Sequence, residues 1–180
     1  NVTGSEQASR VIDYGMYYYG MSEDEETYSQ FQDEEYYLGS VNTGDTDYQC
    51  GYEMGKWCQD QGFKKVIYSN GGADFGVQMF IDRQQGFMDG VGDDIEVITV
   101  SGFPNDQFYA DQANALATDG VEAVATSING VDYWVQPMET AGVSGKVKLA
   151  SMGAVDEKMV QAFEDGSLSM MVGGGSIQKL

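Results

Sequence analysis

The chain has 180 residues, enough for one domain with a sizeable core, and its nine Lys+Arg against 29 Asp+Glu give a formal charge of −20. That charge repels phosphate backbones and excludes nucleic acid as a partner. The absence of histidine removes the commonest general base and transition-metal ligand, which weighs against an enzyme, a metal centre or a cofactor site.

Residues 1–40 stand apart. They hold Tyr14, Tyr17, Tyr18, Tyr19, Tyr28, Tyr36 and Tyr37, with acidic clusters at Glu23–Glu26 and Asp33–Glu35. Val11–Tyr19 has strand character, while Ser22–Glu35 lacks apolar periodicity and reads as a mobile loop. The segment is expected to be largely irregular: either a lead-in lying against the domain, or the tail of another domain.

From Asp47 onward one module recurs five times: a helical stretch, a glycine, then a short β-branched run. The helical stretches are Asp47–Gln61, Ala73–Gly90, Asp106–Asp119, Val131–Ala141 and Asp156–Glu164; the runs are Lys65–Ser69, Ile95–Val100, Val121–Ala125, Val147–Ser151 and Leu168–Val172. Asp47 is placed to cap the first helix, and Gly51 and Gly55 allow close approach one turn apart. In the second helix Val77, Phe80, Ile81, Phe87 and Met88 share a side, and in the third Ala113, Leu116 and Ala117 point inward. Pro137 falls in the first two turns of the fourth, where a kink accommodates it. Asp156 caps the fifth. Strands alternating with helices require crossover connections, hence a parallel sheet with helices on both faces and ligands at the strand C-termini. No apolar run is long enough to span a bilayer as a helix, and no cleavable leader is visible. Gly173-Gly174-Gly175 leads into a flexible tail, giving divisions at 1–40, 41–175 and 176–180.

Cys50 and Cys58 lie eight residues apart on one helix. Their Cα atoms are then about 12 Å apart, too far for a disulfide, so both are expected to be free, buried thiols. The rival motifs are missing. There is no Asp ending the first strand, no G-x-G-x-x-G after it, no G-x-S-x-G elbow and no EF-hand spacing.

Five motifs in order carry a resemblance over roughly Tyr37 to Val172. They are Asp47-Tyr48-Gln49-Cys50-Gly51-Tyr52-Glu53-Met54-Gly55, Lys65-Val66-Ile67-Tyr68, Asp82-Arg83-Gln84-Gln85-Gly86-Phe87, Val121-Glu122-Ala123-Val124 and Ala162-Phe163-Glu164-Asp165-Gly166. The chain resembles the periplasmic binding protein type I superfamily, the fold of ribose-binding-type receptors of sugar ABC transporters and of LacI-type effector domains. The resemblance implies the second lobe of such a receptor, preceded by the end of the first. It implies a three-layer, doubly wound α/β fold with a five-stranded parallel sheet of order 2-1-3-4-5. The implied function is that of an extracytoplasmic solute-binding component of an ABC importer, closing its lobes on a small polar ligand, with a carbohydrate favoured. The implied partners are the ligand, an ABC permease, and either the missing N-terminal lobe or a second copy at the strand-end face. The implied location is extracytoplasmic, as a periplasmic protein or a membrane-tethered lipoprotein. The alternative is an effector-binding domain of a LacI-type regulator. Two ligand positions of the family do not carry over: its Asp after the fourth strand falls at Gly153, and its Arg falls near Ile81.

The candidate ligand contacts are the residues expected at the strand ends. Asn70 and Asn129 offer amide donors and acceptors for hydroxyls, or else form turns beside glycine. Phe75, Phe103 and Phe108 offer faces to stack on a sugar, or else pack into apolar surroundings. Arg83 offers a fork donor, or else a salt bridge.

Overall fold

Three consecutive residues of the first β-branched run decide the layering: Val66 and Tyr68 face one side of a sheet and Ile67 the other, and all three are fully buried. A strand apolar on both faces needs a helical layer over each. The computed structural model describes residues 4–21, 29–41, 44–153 and 156–173, in two compact units, Asn1–Asp45 and Thr46–Leu180. The expected division at 40/41 falls slightly before that boundary.

In the N-terminal unit, helix α1 spans Gly4–Asp13 and strands β1 (Tyr18–Met21) and β2 (Tyr37–Val41) pair in parallel. This corrects the expectation of an irregular segment. Ala8 and Ile12, one turn apart on α1, pack with Tyr18, Phe31 and Tyr37 into a small apolar cluster, enough to order tyrosine-rich sequence that has good strand propensity. Val11 to Asp13 are helical, so the strand expected over Val11–Tyr19 begins only at Tyr18. Of the loop expected over Ser22–Glu35, residues 22–28 lie outside those described and 29–31 form a helical turn. The tail at 176–180 also lies outside them.

In the larger unit, α2 spans Gly44–Asp60, β3 Lys65–Ser69, α3 Gln78–Val91, β4 Glu96–Val100, α4 Asp106–Leu116, β5 Ala123–Thr126, α5 Gly130–Thr140, β6 Lys148–Gly153, α6 Glu157–Glu164 and β7 Met170–Gly173. All pairings are parallel and the order is β4-β3-β5-β6-β7, the 2-1-3-4-5 order implied above. One core lies between the sheet and α4, α5 and α6, built on Ile67, Val124, Leu149, Phe108, Trp134 and Met159. The other lies under α2 and α3, built on Val66, Tyr68, Met54, Phe87 and Met152. Cys50 and Cys58 form no disulfide and are buried in the second core, and burial pushes the Cys58 thiol up to about 12.

Helices α2 and α3 cross backbone to backbone. A Cβ on Gly51 would stand 2.0 Å from the Arg83 carbonyl oxygen, and one on Gly86 2.0 Å from the Tyr48 carbonyl oxygen. Only hydrogen fits at either place. Tyr48 then reaches across to donate to Asp89 at 2.9 Å, a bond that raises its hydroxyl above the usual tyrosine range.

Local details differ from expectation for physical reasons. Helix α2 begins at Gly44, so Asp47 is inside it, buried and ion-paired, instead of capping it. The second helical stretch breaks into a 3-10 turn at Ala73–Phe75 and α3 from Gln78, because Gly76 takes a left-handed φ of 76°. Val77 and Ile81 remain exposed, as do Ala113 and Ala117. Pro137 sits in the third turn of α5, well inside the helix, where it cannot donate to the Tyr133 carbonyl four residues back. The buried Gln112 of α4 fills that vacancy: its Nε2 donates to the Tyr133 oxygen at 2.7 Å.

Candidate functional site

A right-handed crossover returns each helix to the sheet with its N-terminus beside the C-terminus of the preceding strand. The loops after β3, β4 and β5 therefore meet the first turns of α3, α4 and α5 at one end of the sheet. Asn70, the residue after β3, is 1% exposed and its side chain is fully engaged there. Its Nδ2 donates to Asp74 Oδ2 at 3.1 Å and to Ser101 Oγ at 3.3 Å, while its Oδ1 accepts from the Gly102 amide at 3.3 Å. Asn70 is thus a brace between the loops after β3 and β4, with no group left over for a ligand.

The brace holds two phenyl rings together. Phe75 and Phe103 are 56% and 45% exposed, with centroids 6.2 Å apart and planes 10° from parallel. Phe80, nearly buried, meets Phe103 edge-on at 5.6 Å and supports the pair from below. Gly71 and Gly72 give these rings room, since a Cβ on either would come within 2.7 Å of Phe80 or Phe103. With the exposed Val77 and Ile81, the strand end presents an apolar patch on an otherwise acidic unit. Beside it the exposed carboxylate of Asp74 is lowered from its ordinary value, first by the Ser101 hydroxyl and then by the Asn70 amide.

The other candidates are placed differently. Arg83 spends its fork internally: Nε and Nη2 both reach Asp47 Oδ1 at 2.8 Å, Nη1 donates to the Ser127 carbonyl at 2.8 Å, and the guanidinium lies 5.5 Å from the Phe80 ring centre. It ties α2, α3 and the loop after β5 together. Asn129 caps α5, its Oδ1 accepting from the Val131 and Asp132 amides at 3.0 and 3.3 Å. Phe108 is 1% exposed and packs edge-on to Trp134 in the core, so no ligand stacks on it. Of the six, Phe75 and Phe103 are brought together at the surface. Asn70 and Arg83 stand behind them as supports.

Asp74 and Ser101 escape a sequence reading. The only local signal is the i, i+4 spacing of Asn70 and Asp74 at a strand end, and the third partner lies on another loop. A cavity of about 610 Å³ lies elsewhere, between α4 and α5, lined by Tyr109, Leu116 and Pro137 among others and by none of the six candidates. Among the described residues no cluster of His, Cys, Asp or Glu could hold a metal ion, and no helix is long and apolar enough to cross a membrane.

Solved structures share this architecture. A periplasmic solute-binding protein of an ABC transporter from Actinobacillus succinogenes 130z, with bound D-allose, superposes with a TM-score of 0.68 at 15% identity, over 93% of this chain and 60% of that one. A galactofuranose-binding protein gives 0.65 at 16% identity over 93% and 58%. The fructose-binding periplasmic domain of a hybrid two-component system gives 0.68 at 16% over 91% and 63%. These likenesses establish the type I periplasmic-binding-protein fold, and the chain spans about three fifths of the length of each. No family profile and no curated protein sequence matches the chain.

Proposed function

We propose that this chain is the C-terminal lobe of an extracytoplasmic solute-binding protein that binds a carbohydrate and delivers it to an ABC permease. It acts as a binder and not as an enzyme. The observation that carries this reading is the exposed, parallel Phe75–Phe103 pair at the strand C-termini, the end of a doubly wound sheet where ligands bind. Its support is that the allose-, galactofuranose- and fructose-binding proteins share the fold. Apolar ring faces stack on the C–H face of a pyranose or furanose, and a neighbouring carboxylate such as Asp74 accepts hydroxyl hydrogens.

The strand-end face is half a site. Ligand pockets bury about 70–90% of a ligand's surface, which one open face cannot do, so an opposing lobe closes over the sugar in the working protein. Residues 1–180 alone should bind sugars weakly and expose an apolar face that favours self-association. A thermal-shift screen of mono- and oligosaccharides, with calorimetry on hits, should find little. Amide NMR with sugars at high millimolar concentration should still move the signals of 70–75 and 101–103. Micromolar binding by the monomer would overturn the half-site reading, and absence of any shift in those loops would overturn the sugar reading.

A further inference from the structure

The distribution of charge at the strand-end face narrows the ligand class; this deepens the sugar reading above and rests on it. Lys64 and Lys65 begin β3, Lys146 and Lys148 flank the start of β6, and Lys56 lies toward the C-terminal end of α2, so all five sit at or toward the opposite end of the sheet. Two described cations of this unit lie toward the strand C-termini, and both are already paired: Arg83 with Asp47 at 2.8 Å and Lys158 with Asp132 at 3.0 Å. Of the helix N-termini there, which would otherwise attract an anion, those of α4, α5 and α6 have capping side chains on their amides, while α3 begins after Val77 without one. Asn105 accepts from Phe108, Asn129 from Val131 and Asp132, and Asp156 from Met159.

What remains open is a carboxylate beside two ring faces. Asp74 is exposed, and Asn70 and Ser101 fix it in place. The neighbouring Phe75 and Phe103 rings present electron-rich faces. We propose that this face takes a ring ligand carrying a protonated amine, an amino sugar in the simplest case, with its ammonium group on the Asp74 carboxylate and its ring against Phe75 and Phe103. Neutral sugars bind more weakly, and carboxylated sugars are rejected by Asp74 and by the overall negative field.

The test titrates the full chain with glucosamine, N-acetylglucosamine, glucose and glucuronate at about pH 6, where a sugar amine is protonated. The amides of 70–75 and 101–103 are followed by NMR. Glucosamine should bind about fivefold more tightly than N-acetylglucosamine, the gain from an exposed ion pair with a cation–π contribution. Glucuronate should bind weakest. Asp74→Asn should bring glucosamine down to the level of N-acetylglucosamine, and Phe75→Ala should weaken every sugar. If glucose and N-acetylglucosamine shift these amides as strongly as glucosamine, or if Asp74→Asn keeps the amine preference, the amine assignment is overturned and the sugar reading stands. If no sugar shifts them, both fall.

Discussion

Replacing Gly86 by alanine sets two effects of opposite sign against each other. Alanine in a helix interior is intrinsically better than glycine by about 1 kcal/mol. At Gly86, however, the new methyl would lie 2.0 Å from the Tyr48 carbonyl oxygen, and at Gly51 the mirror change would lie 2.0 Å from that of Arg83. Backbone cannot rotate aside as a side chain does, so α2 and α3 must separate by roughly 1 Å. A gap of that size forfeits about a quarter to a half of each contact along the seam, and overpacking of this kind costs about 1–3 kcal/mol. Helix propensity offsets about 1 kcal/mol of this, leaving a net loss of up to about 2 kcal/mol for either change. The distinguishing feature is non-additivity. Once the helices have parted for one methyl the second meets less resistance, so Gly51→Ala with Gly86→Ala should cost less than the sum of the singles. Urea denaturation with an unchanged slope is the assay. A midpoint that rises in either single variant, or a double variant that sums the two, would refute the argument. The same displacement should reach the strand end, since α3 carries Phe80 and Arg83, so amides of the 101–103 loop should shift in the single variants.

Three further outcomes follow from the packing. Asp47→Ala leaves the largely buried Arg83 guanidinium with the Ser127 carbonyl and the Phe80 ring but no counter-charge, and should cost about 3 kcal/mol, measured by the same denaturation, whereas Lys158→Ala on the exposed Asp132 pair should barely move the midpoint. Gln112→Ala orphans the Tyr133 carbonyl and should lose about 1–3 kcal/mol; adding Pro137→Ala restores a backbone donor to that oxygen and should recover part of the loss. Cys58 keeps its proton in the folded state up to about pH 12 but loses it near the ordinary thiol value when unfolded. Its contribution is therefore complete at neutral pH and declines from about pH 9 to 12, at up to about 1.4 kcal/mol per pH unit, a slope that Cys58→Ala should remove in alkaline denaturation.

The sheet was legible because short runs, β-branched in β3, β4 and β5, alternate with helical stretches and glycines, and because Val66, Ile67 and Tyr68 are apolar in succession, as a strand covered on both faces must be. The N-terminal unit was not legible. Its apolar residues are tyrosines and single aliphatics whose cluster forms only when Ala8, Phe31 and Tyr37 are brought together from distant positions. Part of the candidate site's geometry could be read: aromatic residues are expected in strand-end loops, and Phe75 and Phe103 lie on the surface there. Phe108 could not be separated from them, because a residue two positions into a helix faces the core or the solvent according to the helix's rotation. Nor does sequence show that Asn70 and Arg83 are engaged. Asn70 spends its amide partly on a second loop, and Arg83's partners lie 36 and 44 residues away.

The strand order has a consequence for synthesis on the ribosome. β3 is made first; β4 pairs on one side of it, and β5, β6 and β7 then add in turn on the other. No strand has to wait for one made much later, so the sheet can grow at a single advancing edge as the chain emerges. After β4 that edge is β3, and after β5 and β6 it is the newest strand, open to pairing with a neighbouring nascent chain until the next module covers it. A stall after β5 would therefore present the fully buried run Ala123–Thr126 as a sticky edge, while a stall after β7 would not.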